Sequence, residues 1–86
     1  MRQIKNDILL KSISLVLKEL RSIKTLTQEE VGNDIKANRD LNIHIGRIET
    51  GRNNISVSTL FVLCDYYEIS ISDFFERVEK IDKSLK

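Results

Sequence analysis

Apolar residues recur along most of the chain at helical spacing. From Asp7 onward, Ile8, Leu9, Ile13, Val16, Leu17, Leu20 and Ile23 are separated by lysines and serines, the period of a helix with one buried side. A second helix is expected at Thr27-Gln28-Glu29-Glu30. There the Thr27 hydroxyl can accept from the amide three residues on, while Glu30 reaches back to the Thr27 amide. Val31 and Ile35 form its inner face. Gly32 weakens this helix, so a close approach by a neighbouring helix is expected there. A turn is then expected around Lys36 to Asp40.

The next segment is ambiguous. Leu41, Ile43 and Ile45 alternate like a strand, whereas Leu41, Ile45 and Ile48 share one helix face. We read a short helix, with Asp40 or Asn42 as its cap and Gly51 ending it. A polar loop of Arg52, Asn53 and Asn54 leads to Ser56, the expected cap of a fourth helix that turns Leu60, Leu63, Cys64 and Tyr67 inward. After Ser70 or Ser72, the residues Phe74, Phe75, Val78, Ile81 and Leu85 continue at spacings of three and four. The expected fold is therefore all-α, a compact bundle of five helices.

The stripe Phe74, Val78, Ile81 and Leu85 admits two readings. It is expected to form a homodimer interface, because its coiled-coil-like spacing continues to the end of the last helix. Alternatively it folds back over Ile8 and Leu9 of the first helix and is buried within one chain.

Composition narrows the function. The chain has 86 residues, no proline, no repeat and no low-complexity run, so residues 1–86 are read as one domain. With 41% hydrophobic and 31% charged residues it is of globular composition. Its net charge of +1, from 14 basic and 13 acidic side chains, neither announces nor excludes a nucleic-acid partner. So small a body gains stability from an oligomer partner. Cys64, the single cysteine, stands in an apolar stretch and reads as an inert buried thiol. Arg2, Lys5, Asp7, Lys11, Lys18 and Glu19 interrupt the first twenty residues, so no secretory or membrane-spanning segment is expected and the location is cytoplasmic. His44 is the single histidine and has no second histidine or suitably placed cysteine to share a metal. With no nucleophile and base set or glycine-rich phosphate loop either, the chain is not expected to be an enzyme or to hold a cofactor.

Two short helices joined by a turn make a helix-turn-helix arrangement. Leu20-Arg21, Leu26-Thr27-Gln28-Glu29-Glu30, Gly46-Arg47-Ile48-Glu49-Thr50-Gly51 and the run from Leu60 to Phe75 together resemble the lambda-repressor-like, Cro-type helix-turn-helix family. The resemblance covers about residues 13–75 and leaves 76–86 as a helical extension. It implies that the second helix grips phosphate at its start, through Thr27 and Gln28, and that the third lies in the major groove of double-stranded DNA. Thr27 serves equally as a plain helix cap.

With Ile45 and Ile48 inward, Asn42, Ile43, His44, Gly46 and Arg47 fall on or near the outer face. Arg47 could donate twice to guanine, His44 could bond guanine or adenine, and Ile43 could touch a thymine methyl. By the same resemblance Arg52, Asn53 and Asn54 hold the DNA backbone. It also implies that Arg21 and Glu49 form a partly buried salt bridge fixing the first helix against the third. From Thr27 to Glu49 the chain is a few residues longer than is typical, and its turn lacks the usual glycine. Either the second helix continues through Lys36 and Ala37, or the loop bulges and carries Arg39 toward phosphate. The implied function is a sequence-specific transcriptional regulator, a repressor that binds a palindromic operator as a homodimer. A different class, a protein-binding module such as an antitoxin or adaptor, draws some support from the near-neutral charge.

Overall fold

The computed structural model describes residues 6–85; the ends of the expected 1–86 unit, residues 1–5 and 86, lie outside the described residues. Helix α1 (Asp7–Ile23) starts where the Asn6 side chain accepts from the Leu9 amide at 3.0 Å. Its inward stripe includes Leu10, Ile13, Val16, Leu17 and Leu20. Two serines interrupt that stripe without stranding a donor: Ser12 Oγ donates to the Ile8 carbonyl at 2.9 Å and Ser14 Oγ to the Lys11 carbonyl at 2.7 Å.

Helix α2 (Gln28–Arg39) has the complete capping box. Thr27 Oγ1 accepts from the Glu30 amide at 3.1 Å, and Glu30 Oε1 accepts from the Thr27 amide at 2.9 Å. The turn expected around Lys36 to Asp40 is instead the last turn of this helix. Lys36 and Arg39 suit the negative end of the helix dipole, Lys36 pairs with Asp40 at 3.0 Å, and Asp40 ends the helix in the left-handed region at φ 55°. The extra length noted in the sequence is thus absorbed as helix.

The third helix is shorter than expected. Helix α3 spans only Ile45–Glu49, preceded by the irregular segment 40–44. Neither Asp40 nor Asn42 caps it: His44 occupies the cap position and makes no side-chain capping bond. Leu41 is exposed, Ile43 half-buried and Ile45 buried, so the hydrophobic gradient draws this stretch inward without winding it into a helix.

Helix α4 (Val57–Tyr66) is capped by Ser56, whose Oγ accepts from the Thr59 amide at 3.1 Å. Helix α5 (Ile71–Leu85) follows, with Ser70 Oγ accepting from the Asp73 amide at 3.0 Å. The core joins all five helices through Val16, Leu17, Val31, Ile35, Ile45, Leu63, Phe74 and Val78.

Packing of α1 on α5 corrects the expected dimer stripe. Phe74 and Val78 are fully buried in the chain's own core, Ile81 is half-buried against it, and only Leu85 at the helix end is exposed. Arg77 donates to Glu19 at 3.2 Å along the same seam. The alternative of a fold-back onto α1 is the arrangement observed, but only in part over the residues expected: Leu9 is half-buried against the core, whereas Ile8 is exposed. The physical reason is priority: a small core needs this apolar area before any surface can spend it on a partner.

Candidate nucleic-acid interface

The site begins with the anchoring of α3. A helix of this length cannot sustain itself, since helices shorter than about 12 residues are marginal even with good sequences. Its last residue, Glu49, is buried and collects three donors. Arg21 Nε reaches Oε2 at 2.8 Å, Arg21 Nη2 reaches Oε1 at 2.9 Å, and Gln28 Nε2 reaches the same Oε1 at 3.0 Å. Arg21 Nη1 donates to the Leu26 carbonyl at 2.8 Å, tying the α1–α2 turn into the cluster. The side chains of Arg21 and Glu49 are 17% and 2% exposed.

This fork-to-fork geometry is the strong form of an ion pair. Hydrogen bonding to Glu49 holds the Arg21 guanidinium above its ordinary pKa. Burial, and next the nearby Glu49 charge, push the Tyr67 phenol well above its usual range, so it is a neutral neighbour of the pair. Tyr66 braces α2 from α4: its hydroxyl donates to Asp34 at 2.7 Å, and burial together with this bond moves its pKa up to about 12. Burial also raises the Cys64 thiol, which is therefore protonated and unreactive near neutrality.

Two glycines shape the site. The missing side chain at Gly46 lets the Gln28 amide lie across α3, for a Cβ there would stand 3.1 Å from Gln28 Oε1. At Gly51, where φ is +73°, a Cβ would stand 2.8 Å from Ser14 Oγ and 3.2 Å from Lys11 Cα. The chain after α3 is thereby seated directly on α1. Gly32 behaves differently from the expectation of close helix approach: a Cβ there would meet the Ile43 carbonyl at 3.7 Å, an ordinary contact.

Around these anchors the polar residues assemble into one surface. A groove runs between α2 and the start of α3, bordered by Gln28, Asn33 and Lys36 on one side and by Asn42, His44 and Arg47 on the other. A second groove places Asn42, His44 and Arg47 opposite Asn53, Asn54 and Ser56. Asn42, Ile43, His44 and Arg47 therefore form the ridge between the two grooves. Arg47 is exposed and, among the described residues, has no carboxylate partner; its carbonyl accepts from Thr50 Oγ1 at 2.6 Å and Asn53 Nδ2 at 3.4 Å, which joins the loop to α3. Arg52 is exposed beside it, with its amide on Thr50 Oγ1 at 3.3 Å.

The structure brings Gln28, Asn42, Ile43, His44, Arg47, Asn53 and Asn54 together along the two grooves, with Thr27 next to Gln28 and Arg52 next to Asn53 in the chain but lining neither groove, and leaves Arg39 out. Because α2 continues to Arg39 instead of bulging before it, that guanidinium sits at the far end of the helix and donates to Asp65 of α4. Gln28 also has a structural role that the sequence did not suggest: its amide nitrogen donates to Glu49 and braces α3. Sequence reasoning passed over Asn33 and Lys36 as groove residues. Their i, i+3 spacing on the polar side of α2 was the available signal.

No family model matches the chain, and no curated protein does. Among solved structures, the chain is similar to the restriction-modification controller protein C.Esp1396I, crystallised as a tetramer in complex with its natural 35 base-pair operator. The two share 30% identity at a TM-score of 0.72, over 94% of this chain and 100% of that one. At that identity and coverage, with the capped α2, the short α3 and the arginine to glutamate pair behind them, the chain belongs to the lambda-repressor-like, Cro-type helix-turn-helix family.

Proposed function

We infer that this protein is a sequence-specific DNA-binding transcriptional regulator that acts as a homodimeric repressor on a palindromic operator. The observation that carries this reading is the ridge of Asn42, His44 and Arg47, raised between two grooves and braced from behind by the Arg21–Glu49–Gln28 cluster. Base readout needs donors of this kind on a rigid support, because a bidentate contact discriminates only when its geometry is held. Arg47 takes the guanine-reading role, with Asn42 and His44 beside it and Ile43 available to a thymine methyl. Thr27 at the start of α2, together with Arg52, Asn53 and Asn54, supplies phosphate contacts on either side. The operator-bound tetramer of C.Esp1396I supports the same reading from outside this chain.

No helix among the described residues is long and apolar enough to cross a membrane, and a cytoplasmic regulator without enzymatic activity is the form we propose. The test is a binding titration on an operator selected from a random duplex library. Arg47→Ala should weaken operator binding by about 1–3 kcal/mol while leaving random DNA nearly unaffected. Arg52→Ala should weaken both about equally and flatten the salt dependence. Equal loss on both DNAs for Arg47→Ala would remove it from base readout.

A further inference from the structure

With the Phe74 and Val78 stripe used inside the chain, the dimer required by the function proposed above must form elsewhere. The most apolar uncovered surface lies on the outer side of α4. Val57 is 79% exposed and Phe61, one turn later on the same side, is 60% exposed. A shallow groove beside Phe61 continues over Ile69 and Ile71 at the start of α5. A further shallow hollow is lined by Val62 together with Leu41, which is also exposed.

In a chain that is 31% charged, α4 carries a single charged residue, Asp65, and that one is engaged by Arg39. Aromatic and aliphatic residues at the centre, with charge confined to a neutral rim, are the composition of an interface core. Such a surface has nothing to offer a phosphate backbone. We propose that the Val57–Phe61 face of α4 is the self-association surface of this protein, docking against the same face of a second copy.

Three observations select a second copy as the occupant. This chain spans the whole of the C.Esp1396I chain, which forms a tetramer, so in that protein assembly is made by a body of this size with no further domain in the chain. The rim is self-complementary: Arg39 and Asp65 are side by side, so a two-fold axis brings opposite charges within reach and requires no like-charge contact. Finally, α4 begins directly after the Asn53–Asn54 loop that borders the reading ridge. The body measures 37 × 33 × 20 Å, so the separation of one DNA turn, roughly 34 Å, is within the reach of two copies paired side by side.

The experiment is analytical ultracentrifugation of the full chain at tens of micromolar, with operator binding measured in parallel. Phe61→Asp and, separately, Val57→Lys are exposed substitutions whose folding is checked by circular dichroism. Phe75→Asp, at an exposed apolar residue on α5, serves as the control. The parent and Phe75→Asp should be dimers, and Phe61→Asp should raise the dimer dissociation constant roughly thirtyfold or more, with Val57→Lys acting in the same direction. A monomeric parent, dimers undisturbed by both α4 variants, or dissociation caused by Phe75→Asp would each overturn the assignment. The two readings fail separately. A parent that dimerises through Phe61 but binds no DNA keeps this interface and removes the regulator, whereas an operator-binding parent whose dimer ignores α4 does the reverse.

Discussion

Helix α5 runs for 15 residues and hides Phe74 and Val78 against α1, whereas α3 runs for 5 and is held by groups outside itself. Ile45 is sunk in the core, Glu49 is clasped by Arg21 and Gln28, and Gly51 rests on Ser14. Helix α5 is stabilised by area and α3 by specific polar geometry. Area tolerates small displacement, while a fork-to-fork ion pair does not. The helix that carries Arg47, the residue we propose to read a base, is thus the one placed by directional bonds, and the element that supplies bulk stability is placed by hydrophobic burial.

The sharpest way to break this comparison is to damage each helix's anchor, by burying a charge in α5 and by removing one that holds α3. Val78→Asp strands a carboxylate in the α5 core and should cost more than about 4 kcal/mol, enough to unfold a chain of this size. Urea titration would show it; a folded Val78→Asp variant with only weaker self-association would mean that α5 faces a partner after all. Next in size is the α3 anchor. Arg21→Ala leaves the buried Glu49 carboxylate with Gln28 alone and should cost about 3 kcal/mol, near the lower end for a buried pair because Arg21 is partly wet. The double variant Arg21→Ala with Glu49→Ala should cost clearly less than the sum of the singles; simple additivity in thermal melts would deny the coupling.

The smallest effects sharpen the contrast by sign. Gly51→Ala must accept a left-handed backbone and crowd Ser14, and should destabilise by about 1–2 kcal/mol. Gly32→Ala meets only ordinary contacts inside α2 and should stabilise by up to about 1 kcal/mol from helix propensity. If both lose stability in chemical denaturation, Gly32 is closer to a neighbour than its geometry shows.

Much of the architecture was legible in the chain because its causes are local. The period of Ile13, Val16, Leu17 and Leu20 specifies a helix and its buried side, and Thr27 with Glu30 specifies where the next one starts. The Ser56 cap is likewise a bond between neighbours. What could not be read was anything decided by competition between distant segments. Leu41 to Glu49 satisfied two periodicities, and only the pull of the core on Ile45 and of Arg21 on Glu49 settled that the helix begins at Ile45. Arg39 looked free for phosphate until the length of α2 carried it to Asp65.

The stripe on α5 shows the same limit most plainly. Periodicity determines that Phe74, Val78 and Ile81 share one apolar side, but it is silent on whether α1 or a second chain covers them. The sequence by itself determined that α1, α2, α4 and α5 are helices, where α2 and α4 start, and which sides are apolar, since these follow from interactions a few residues apart. The tertiary structure alone decided which apolar side became core and which, on α4, stayed exposed, because burial is a contest among all the surfaces of the chain for the same limited interior.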